Sequence, residues 1–251
     1  MSKLLNANFY RLKKSYCFWI LLILMAFLGC YMYINNSGFH PERCVNCNNQ
    51  FGDIFFSYLT LNWILIPIFT SLFIGTEYSD GTIKNKIISG HKRSNIYFSN
   101  LITSIIVSFV YSIIYVIFAL ITSLMLKYSM TIPISKFTEL LITSILLNIV
   151  FSSLFTLISM TVSNKATASI VSLITVIWSM MIASNLYGKL PSVGENTKMI
   201  YETILKIIPF GQAFQIANLT DNYDDFWLFS MVLIIIFNFY GIIMINKKQL
   251  S

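Results

Sequence analysis

Residues 97–126 read YFSNLITSIIVSFVYSIIYVIFALITSLML, a run of 30 residues without one charged side chain. About 20 consecutive apolar residues in a helix are enough to cross the hydrocarbon core of a bilayer. Only a helix or a closed barrel satisfies its backbone hydrogen bonds in lipid, and a barrel would need strands of strictly alternating polarity. We therefore predict that residues 97–126 form a transmembrane helix.

Five further runs of the same kind flank this segment. They cover about residues 16–34, 54–76, 140–162, 166–186 and 226–245. Hydrophobic residues make up 56% of the chain and charged residues 11%, whereas a soluble domain has about 25% charged residues. The 251 residues are thus expected to form an all-α polytopic membrane protein with six spans. Residues 1–251 would be a single transmembrane domain without an attached soluble catalytic domain.

The positions of the basic residues predict the orientation of the spans. If the N-terminus is cytoplasmic, eleven of the 17 lysines and arginines lie on the cytoplasmic side, as the positive-inside rule requires. Six spans then return the C-terminus to the cytoplasm. We expect the protein to lie in the plasma membrane of the cell. The net charge of +7 is spread beside the spans, which favours anionic lipid over nucleic acid as its partner. No A-x-A-like cleavage site follows the first span, so we expect that span to be retained.

The four cysteines fall into two groups. Cys17 and Cys30 lie in the first span, while Cys44 and Cys47 form a C-x-x-C motif in the loop that follows it. If that loop is extracellular, a local disulfide is the first interpretation. A metal site with His40 is the second, but one chain supplies only three ligands where structural zinc needs four. We therefore predict no metal ion and no other cofactor.

Residues 1–15 have the pattern of an amphipathic helix on the membrane surface. Leu5, Phe9, Leu12 and Tyr16 share one face at helical spacing, and basic residues surround them. A simple positive-inside anchor explains the same residues equally well.

The segment 77–95 separates the second and third spans and is rich in signals for turns. Ser79-Asp80-Gly81 favours a turn, Thr82 can cap a short helix, and Gly90 can end it in a left-handed conformation. Ile83 and Ile87 would form an exposed apolar ridge between Lys84 and Lys86. Such a ridge fits the groove of a partner protein, although a plain basic loop is the simpler alternative.

Small polar residues recur every four positions in three spans. The residues that we consider candidates for a translocation path or for helix packing are Ser108, Ser112, Asn148, Ser152, Thr156 and Thr175. A step of four keeps them on one helix face, where they permit close packing and weak hydrogen bonds between helices.

The external segment 187–225 is long for a connection. Thr197–Ile208 predicts a helix at the membrane edge, which Pro209 stops before a second helical stretch. A helix-break-helix element is therefore expected before the sixth span.

Motifs for catalysis and for ion coupling are missing from the sequence. There is no G-x-x-x-x-G-K-[ST], no H-E-x-x-H and no G-x-S-x-G. None of the six predicted spans contains an ionisable side chain of the kind that ion-coupled carriers place at mid-membrane. The chain is therefore not expected to be an enzyme, and any transport would draw its energy from another subunit.

The chain resembles the membrane subunits of type-2 ABC exporters, which are six-span permeases that pair with a separate ATPase. The resemblance rests on the length, the N-terminal surface helix and the run Ile74–Lys86, IGTEYSDGTIKNK, directly after the second span. Family members often have a similar E-x-x-x-G-T-[IL]-[KR] pattern there. The break Ile208-Pro209-Phe210-Gly211 before the last span is also similar.

This resemblance implies partners and a mechanism. Two permease chains, identical or homologous, would assemble with two ATPase subunits, and ATP-driven closure would open a path outward for an amphipathic peptide, lipid or drug. Some small members protect their cell against antimicrobial peptides. The implied ATPase contacts are Glu77, Asp80, Thr82, Ile83, Lys84 and Ile87, and the implied hinge glycines are Gly75, Gly81 and Gly90.

A different function remains open from the sequence. The chain could be a membrane anchor or sensor that does not transport and acts through Cys44 and Cys47. Replacing both cysteines by serine separates the two hypotheses, because only an anchor or sensor of this kind would lose its function.

Overall fold

The computed structural model of the protein describes residues 1–37, 51–126, 133–218 and 225–248. The helices of these residues are α1 (Ser2–Lys14), α2 (Tyr16–Ser37), α3 (Phe51–Phe56), α4 (Tyr58–Ser79), α5 (Thr82–Ile88), α6 (Arg93–Met125), α7 (Ile134–Thr161), α8 (Lys165–Lys189), α9 (Glu195–Ile207), α10 (Pro209–Ala217) and α11 (Phe226–Lys247). A short 3-10 turn, Leu190–Ser192, extends α8. The C-x-x-C motif of Cys44 and Cys47 lies outside the described residues.

Six of the helices are long and apolar enough to cross a membrane, as the sequence predicts. They cover Tyr16–Asn35, Ile54–Ser79, Arg93–Met125, Ile134–Thr161, Lys165–Ser192 and Phe226–Lys247. The prediction of an all-α polytopic membrane protein is therefore confirmed. Most of these helices extend beyond the predicted ends, because polar residues at the membrane edge continue a helix that apolar residues begin.

The clearest correction to the predicted boundaries concerns the second and fourth spans. Helix α4 runs on to Ser79, so Glu77 lies in a helix and not in a loop. Helix α7 begins at Ile134, six residues before the predicted start, and contains Lys136 and Glu139. The helices are thus not free of ionisable residues, although these residues lie near the helix ends.

Helices α4 and α7 form the centre of the bundle. In their most apolar parts 67% and 61% of the residues are buried, against 22% in α8 and 17% in α11. Helix α6 contacts both central helices, α2 packs along α6, α8 packs on α4, and α11 packs on α7. The outward faces of α2, α8 and α11 are rich in exposed isoleucine, leucine and phenylalanine, which a lipid environment accommodates.

The two ends of the bundle have different elements. Helices α1 and α5 lie at the end where α4 finishes and α6 begins, which we call the α5 end. Helix α10 contacts α3, α9 and the start of α4 at the opposite end. The sequence Ile208-Pro209 separates α9 from α10, and Ile208 has an extended backbone there. The predicted helix-break-helix is therefore present.

Helix α1 has the amphipathic pattern that the sequence predicts, but its most buried face is shifted by one residue and shares only Leu12 with the predicted one. The buried residues are Leu4, Asn8 and Leu12, while Tyr16, expected on this face, is 86% exposed. The buried face of α1 packs on α6. A polar residue, Asn8, therefore lies between the two buried leucines of this face.

Candidate functional site

The acidic side chain of Glu77, near the end of α4, is fully buried, with 0% exposure. One carboxylate oxygen, Oε1, forms salt bridges with Arg11 of α1 and Lys86 of α5. The other, Oε2, accepts a hydrogen bond of 2.8 Å from the Asn100 amide in α6. A buried charge is costly unless it is paired and hydrogen-bonded, and Glu77 meets both conditions.

Asn8 joins the same network from the centre of α1. Its amide nitrogen donates to Asn100 Oδ1 at 2.7 Å, and its oxygen accepts from Lys86 Nζ at 3.2 Å. Asn8, Arg11, Glu77, Lys86 and Asn100 thus form one connected set of charged and polar groups, which we call the Glu77 cluster. It ties α1, α4, α5 and α6 together at the α5 end of the bundle.

The guanidinium of Arg11 is held in a fixed position by α4. It donates to the Phe73 carbonyl oxygen at 3.1 Å and to Thr76 Oγ1 at 3.0 Å. Its central carbon also lies 4.6 Å from the centroid of the Phe73 ring. These contacts hold α1 against the last two turns of α4, next to the Arg11–Glu77 salt bridge.

Helix α5 is bounded by two glycines with left-handed backbone. Gly81 precedes it with φ +66° and Gly90 follows it with φ +83°. The Gly90 N–H donates to the Ile87 carbonyl oxygen and the His91 N–H to that of Lys86, which is the Schellman pattern of a helix end. The predicted left-handed end at Gly90 is therefore confirmed, while Thr82 does not cap α5. Its hydroxyl donates to the Glu77 carbonyl oxygen at 3.0 Å.

The exposed ridge that the sequence predicts on α5 is wrong for Ile83. This side chain is 1% exposed because it faces the bundle, and Ile87 is half-buried. Ile88 is the apolar residue that α5 presents outward, at 83% exposure, together with Lys84 and the preceding Asp80. The inward and outward faces of α5 are therefore rotated relative to the prediction.

The three predicted hinge glycines have different surroundings. Gly75 is buried within α4, and a Cβ at this position would come within 2.9 Å of the Lys165 side chain. Gly75 therefore permits close contact between α4 and α8. Around Gly81 and Gly90 the space is open, and there the left-handed backbone is what requires glycine.

Four of the six polar candidates in the spans, Ser108, Ser112, Asn148 and Ser152, are buried between α4, α6 and α7. Asn62 of α4 donates to Ser112 Oγ and to Asn148 Oδ1, both at 2.8 Å. The Ser152 hydroxyl donates to Ser108 Oγ at 3.3 Å. These contacts are those of helix packing within one chain.

The other two candidates differ from this group. Thr156 is fully buried, and its hydroxyl has no partner within the described part of the chain. Thr175 is partly exposed on α8 and donates to the Val171 carbonyl oxygen of its own helix at 2.9 Å.

Sequence reasoning missed that Asn8, Arg11 and Asn100 join Glu77, because no local pattern connects these residues. The signal that could have found Asn8 is its spacing of four from Leu4 and from Leu12, which places a polar residue on a buried face. Asn62 has the same character, as a single amide in an apolar span.

The Glu77 cluster contains no nucleophile and no set of metal ligands. In the described ranges, no three His, Cys, Asp or Glu side chains come together in a way that could hold a metal ion. What the arrangement can do is mechanical, because it fixes a surface helix and a short end helix to two spans through buried charges.

One comparison with known proteins gives a match. A family model described as ABC-2 family transporter protein matches residues 4–188, which run from the first turn of α1 to the end of α8. The match includes every residue of the Glu77 cluster and leaves α9, α10 and α11 outside. No curated protein matches the chain significantly.

Proposed function

The chain belongs to the ABC-2 family of transporter proteins, and from this premise we propose that it is the permease subunit of an ATP-driven exporter. The family is a membrane transport component that works with an ABC ATPase, so nucleotide hydrolysis belongs to a separate subunit. The finer proposal is that hydrolysis in that subunit drives an amphipathic substrate outward through the bundle.

The observation that carries this proposal is the Glu77 cluster. An ATPase subunit outside the membrane can contact only the elements at the end of the bundle, and the movement it causes must reach the spans. Helix α5 lies at that end, and Lys86 connects it through Glu77 to α4 and through Asn8 to α1. Asn100 extends the connection into α6. A displacement of α5 would therefore be passed to two spans and to the surface helix.

The outward face of α5 is the surface that we assign to the ATPase contact. Asp80, Lys84 and Ile88 are exposed there, whereas Glu77 and Ile83 face inward and Thr82 contacts the end of α4. An exposed isoleucine beside charged residues has the character of an interface anchor with a polar rim. Glu77, Thr82, Ile83 and Ile87 would then support the contact from behind.

The remaining parts of the proposal concern the assembly and its location. Two ATPase subunits and a second permease chain, identical or homologous, would complete the transporter in the plasma membrane. Both termini and the α5 end would be cytoplasmic, with lipid around the bundle and no nucleic acid. The substrate would be an amphipathic peptide, lipid or drug, and export of antimicrobial peptides is one case of this class.

The test is purification of the tagged full-length chain from its own cells in mild detergent, followed by labelling with azido-ATP. A labelled subunit that purifies with the chain and hydrolyses ATP is the expected result. Ile88→Asp should reduce the labelled subunit about tenfold or more, since burying an isoleucine contributes about 1.5–3 kcal/mol.

The matched control is Asn196→Asp, which adds the same charge to an exposed position at the opposite end. It should leave the labelled subunit in place. An active transporter that purifies without any nucleotide-hydrolysing subunit would refute the function. Equal loss in both variants would refute the assigned contact surface only.

A further inference from the structure

A second feature of the α5 end is a pocket of about 460 Å³. It lies between the last turn of α1, the first turn of α2, the end of α4 and the start of α8. Lys14, Tyr16, Leu72, Asp80 and Lys165 are among its lining residues. The Glu77 cluster borders the pocket only through Arg11.

The pocket has an excess of positive charge that no side chain of the described residues neutralises. Lys14 Nζ lies 4.4 Å from the centroid of the Tyr10 ring. Among the described residues, neither Lys14 nor Lys165 forms a salt bridge. Arg11 is already paired with Glu77. Asp80 is the single acid in the lining, so two lysines outweigh one carboxylate. One anionic group fits this charge.

Aromatic residues indicate the depth of the pocket in the membrane. Tyr10 and Tyr16 line the pocket, and Trp19 follows in the first turn of α2. All three side chains are exposed, and Trp19 Nε1 donates to the Lys13 carbonyl oxygen at 3.0 Å. Exposed tyrosine and tryptophan with one polar atom satisfied are typical of the headgroup level of a bilayer. The lysines therefore lie at the depth of lipid phosphate groups.

The pocket continues along α4 as an apolar strip. Leu61, Ile64, Ile68 and Leu72 are half-buried and recur every three or four residues, so they share one face of α4. Helices α2 and α8 both contact α4, the helix that carries this strip. Leu72 belongs to both the strip and the pocket, so a chain that leaves the pocket toward the membrane interior meets a continuous apolar surface.

We propose that this pocket binds an anionic phospholipid. Lys14 and Lys165 hold its phosphate, and one acyl chain lies on the strip from Leu72 to Leu61. A free phosphate or phosphate ester has the same charged group, but the apolar strip gives it nothing to contact. The lipid would stabilise the junction of α1, α2, α4 and α8.

The test is native mass spectrometry of the delipidated full-length protein, titrated with dioleoyl phosphatidylglycerol and separately with dioleoyl phosphatidylcholine. We expect one tightly bound phosphatidylglycerol and weaker binding of phosphatidylcholine. Lys14→Gln with Lys165→Gln should weaken phosphatidylglycerol binding about 30-fold, given the usual contribution of a lysine near an anionic surface. Equal affinity for the two lipids would overturn the proposal.

The control is Lys3→Gln with Lys92→Gln, which removes two exposed lysines from the same end of the bundle and outside this pocket. It should change the affinity less than threefold, and a loss equal to that of the pocket variant would mean unspecific attraction. Displacement of the lipid by glycerol 3-phosphate at equal concentration would assign the site to free phosphate and overturn the lipid. A further experiment needs no variant: phosphatidylglycerol with a photoreactive headgroup should label the peptide of residues 10–17 in the unmodified protein. Labelling that occurs only outside this peptide would refute the site.

Discussion

The carboxylate of Glu77 can be neutralised with little change of shape by Glu77→Gln. The substitution removes the charge that Arg11 and Lys86 share and keeps a polar group of the same size. An amide in place of Oε1 would also direct N–H groups toward one of the two cations. We expect the α5 end to loosen, because α1 and α5 lose their common anchor on α4.

The size of the effect follows from how deeply each partner is buried. Removing one member of a buried ion pair costs about 3–5 kcal/mol, because the other charge remains buried without a partner. The Arg11 and Lys86 side chains keep 28% and 13% exposure, so water can partly solvate them. We therefore expect the lower end, about 3 kcal/mol, which corresponds to a decrease in Tm of roughly 6–12 °C for a chain of this length.

The assay is thermal unfolding of the purified full-length protein in one detergent. Asp80→Asn is the matched control, because it removes the same charge from an exposed side chain three residues away. Exposed substitutions usually change stability by less than about 0.5 kcal/mol, so the Tm of this control should stay within about 2 °C.

Two results would refute the reasoning about Glu77. One is a Tm of Glu77→Gln within about 2 °C of the unmodified protein. The other is strict additivity with Lys86→Met, since residues in one ion-pair network should show an interaction energy of about 0.5–3 kcal/mol. Additivity would mean that the contact between Glu77 and Lys86 contributes nothing to holding α5.

Three further outcomes follow from single positions. Gly90→Ala should lower the stability by about 1–2 kcal/mol because φ is +83° there, whereas Gly188→Ala, at a helical position with open space, should raise it by about 0.5–1 kcal/mol. Thermal unfolding compares the two variants, and a stability change of the same sign in both would contradict the left-handed turn. Burial lowers the pKa of Lys248, just beyond α11, from 10.5 to about 8, so its labelling by an amine-reactive reagent should be half-maximal near pH 8. The protein should also gain stability as the pH rises from about 8 toward 10.5, because in that range only the unfolded chain still binds the proton of Lys248. Replacing Cys44 and Cys47 by serine should leave ATP-dependent transport unchanged, and loss of function in that variant would favour the anchor or sensor.

The spans could be predicted from sequence because the bilayer imposes a composition that few other structures need. Their ends could not, since a residue such as Glu77 is compatible with both a loop and the last turn of a helix. What decides between them is a set of partners from distant parts of the chain. Arg11 lies 66 positions from Glu77, and no local pattern connects the two.

The orientation of α5 was also beyond local reasoning. Ile83 and Ile87 are four residues apart and do share a face, but periodicity does not say whether that face meets the bundle or a partner. Of the two lysines between them, Lys86 shows which face meets the bundle. Lys86 must reach a buried carboxylate, so the face near Ile83 turns inward and Ile88 turns outward.

Because α5 is short, it depends on its attachment to the bundle, and in the proposed transporter that attachment would carry the movement of the ATPase to the spans. Seven residues are far fewer than the 12–15 that an isolated helix needs to be even marginally stable in water. Helix α5 therefore persists because Ile83 is buried and Lys86 is paired, not because of its own propensity. In the proposed transporter, an ATPase subunit bound at Lys84 and Ile88 would also pull on Glu77 when it shifts α5, and through Glu77 on α1 and α6. We propose that the two glycine turns let α5 tilt as a unit while the cluster keeps it attached. Weakening the cluster should then uncouple ATP hydrolysis from transport while the subunits still purify together.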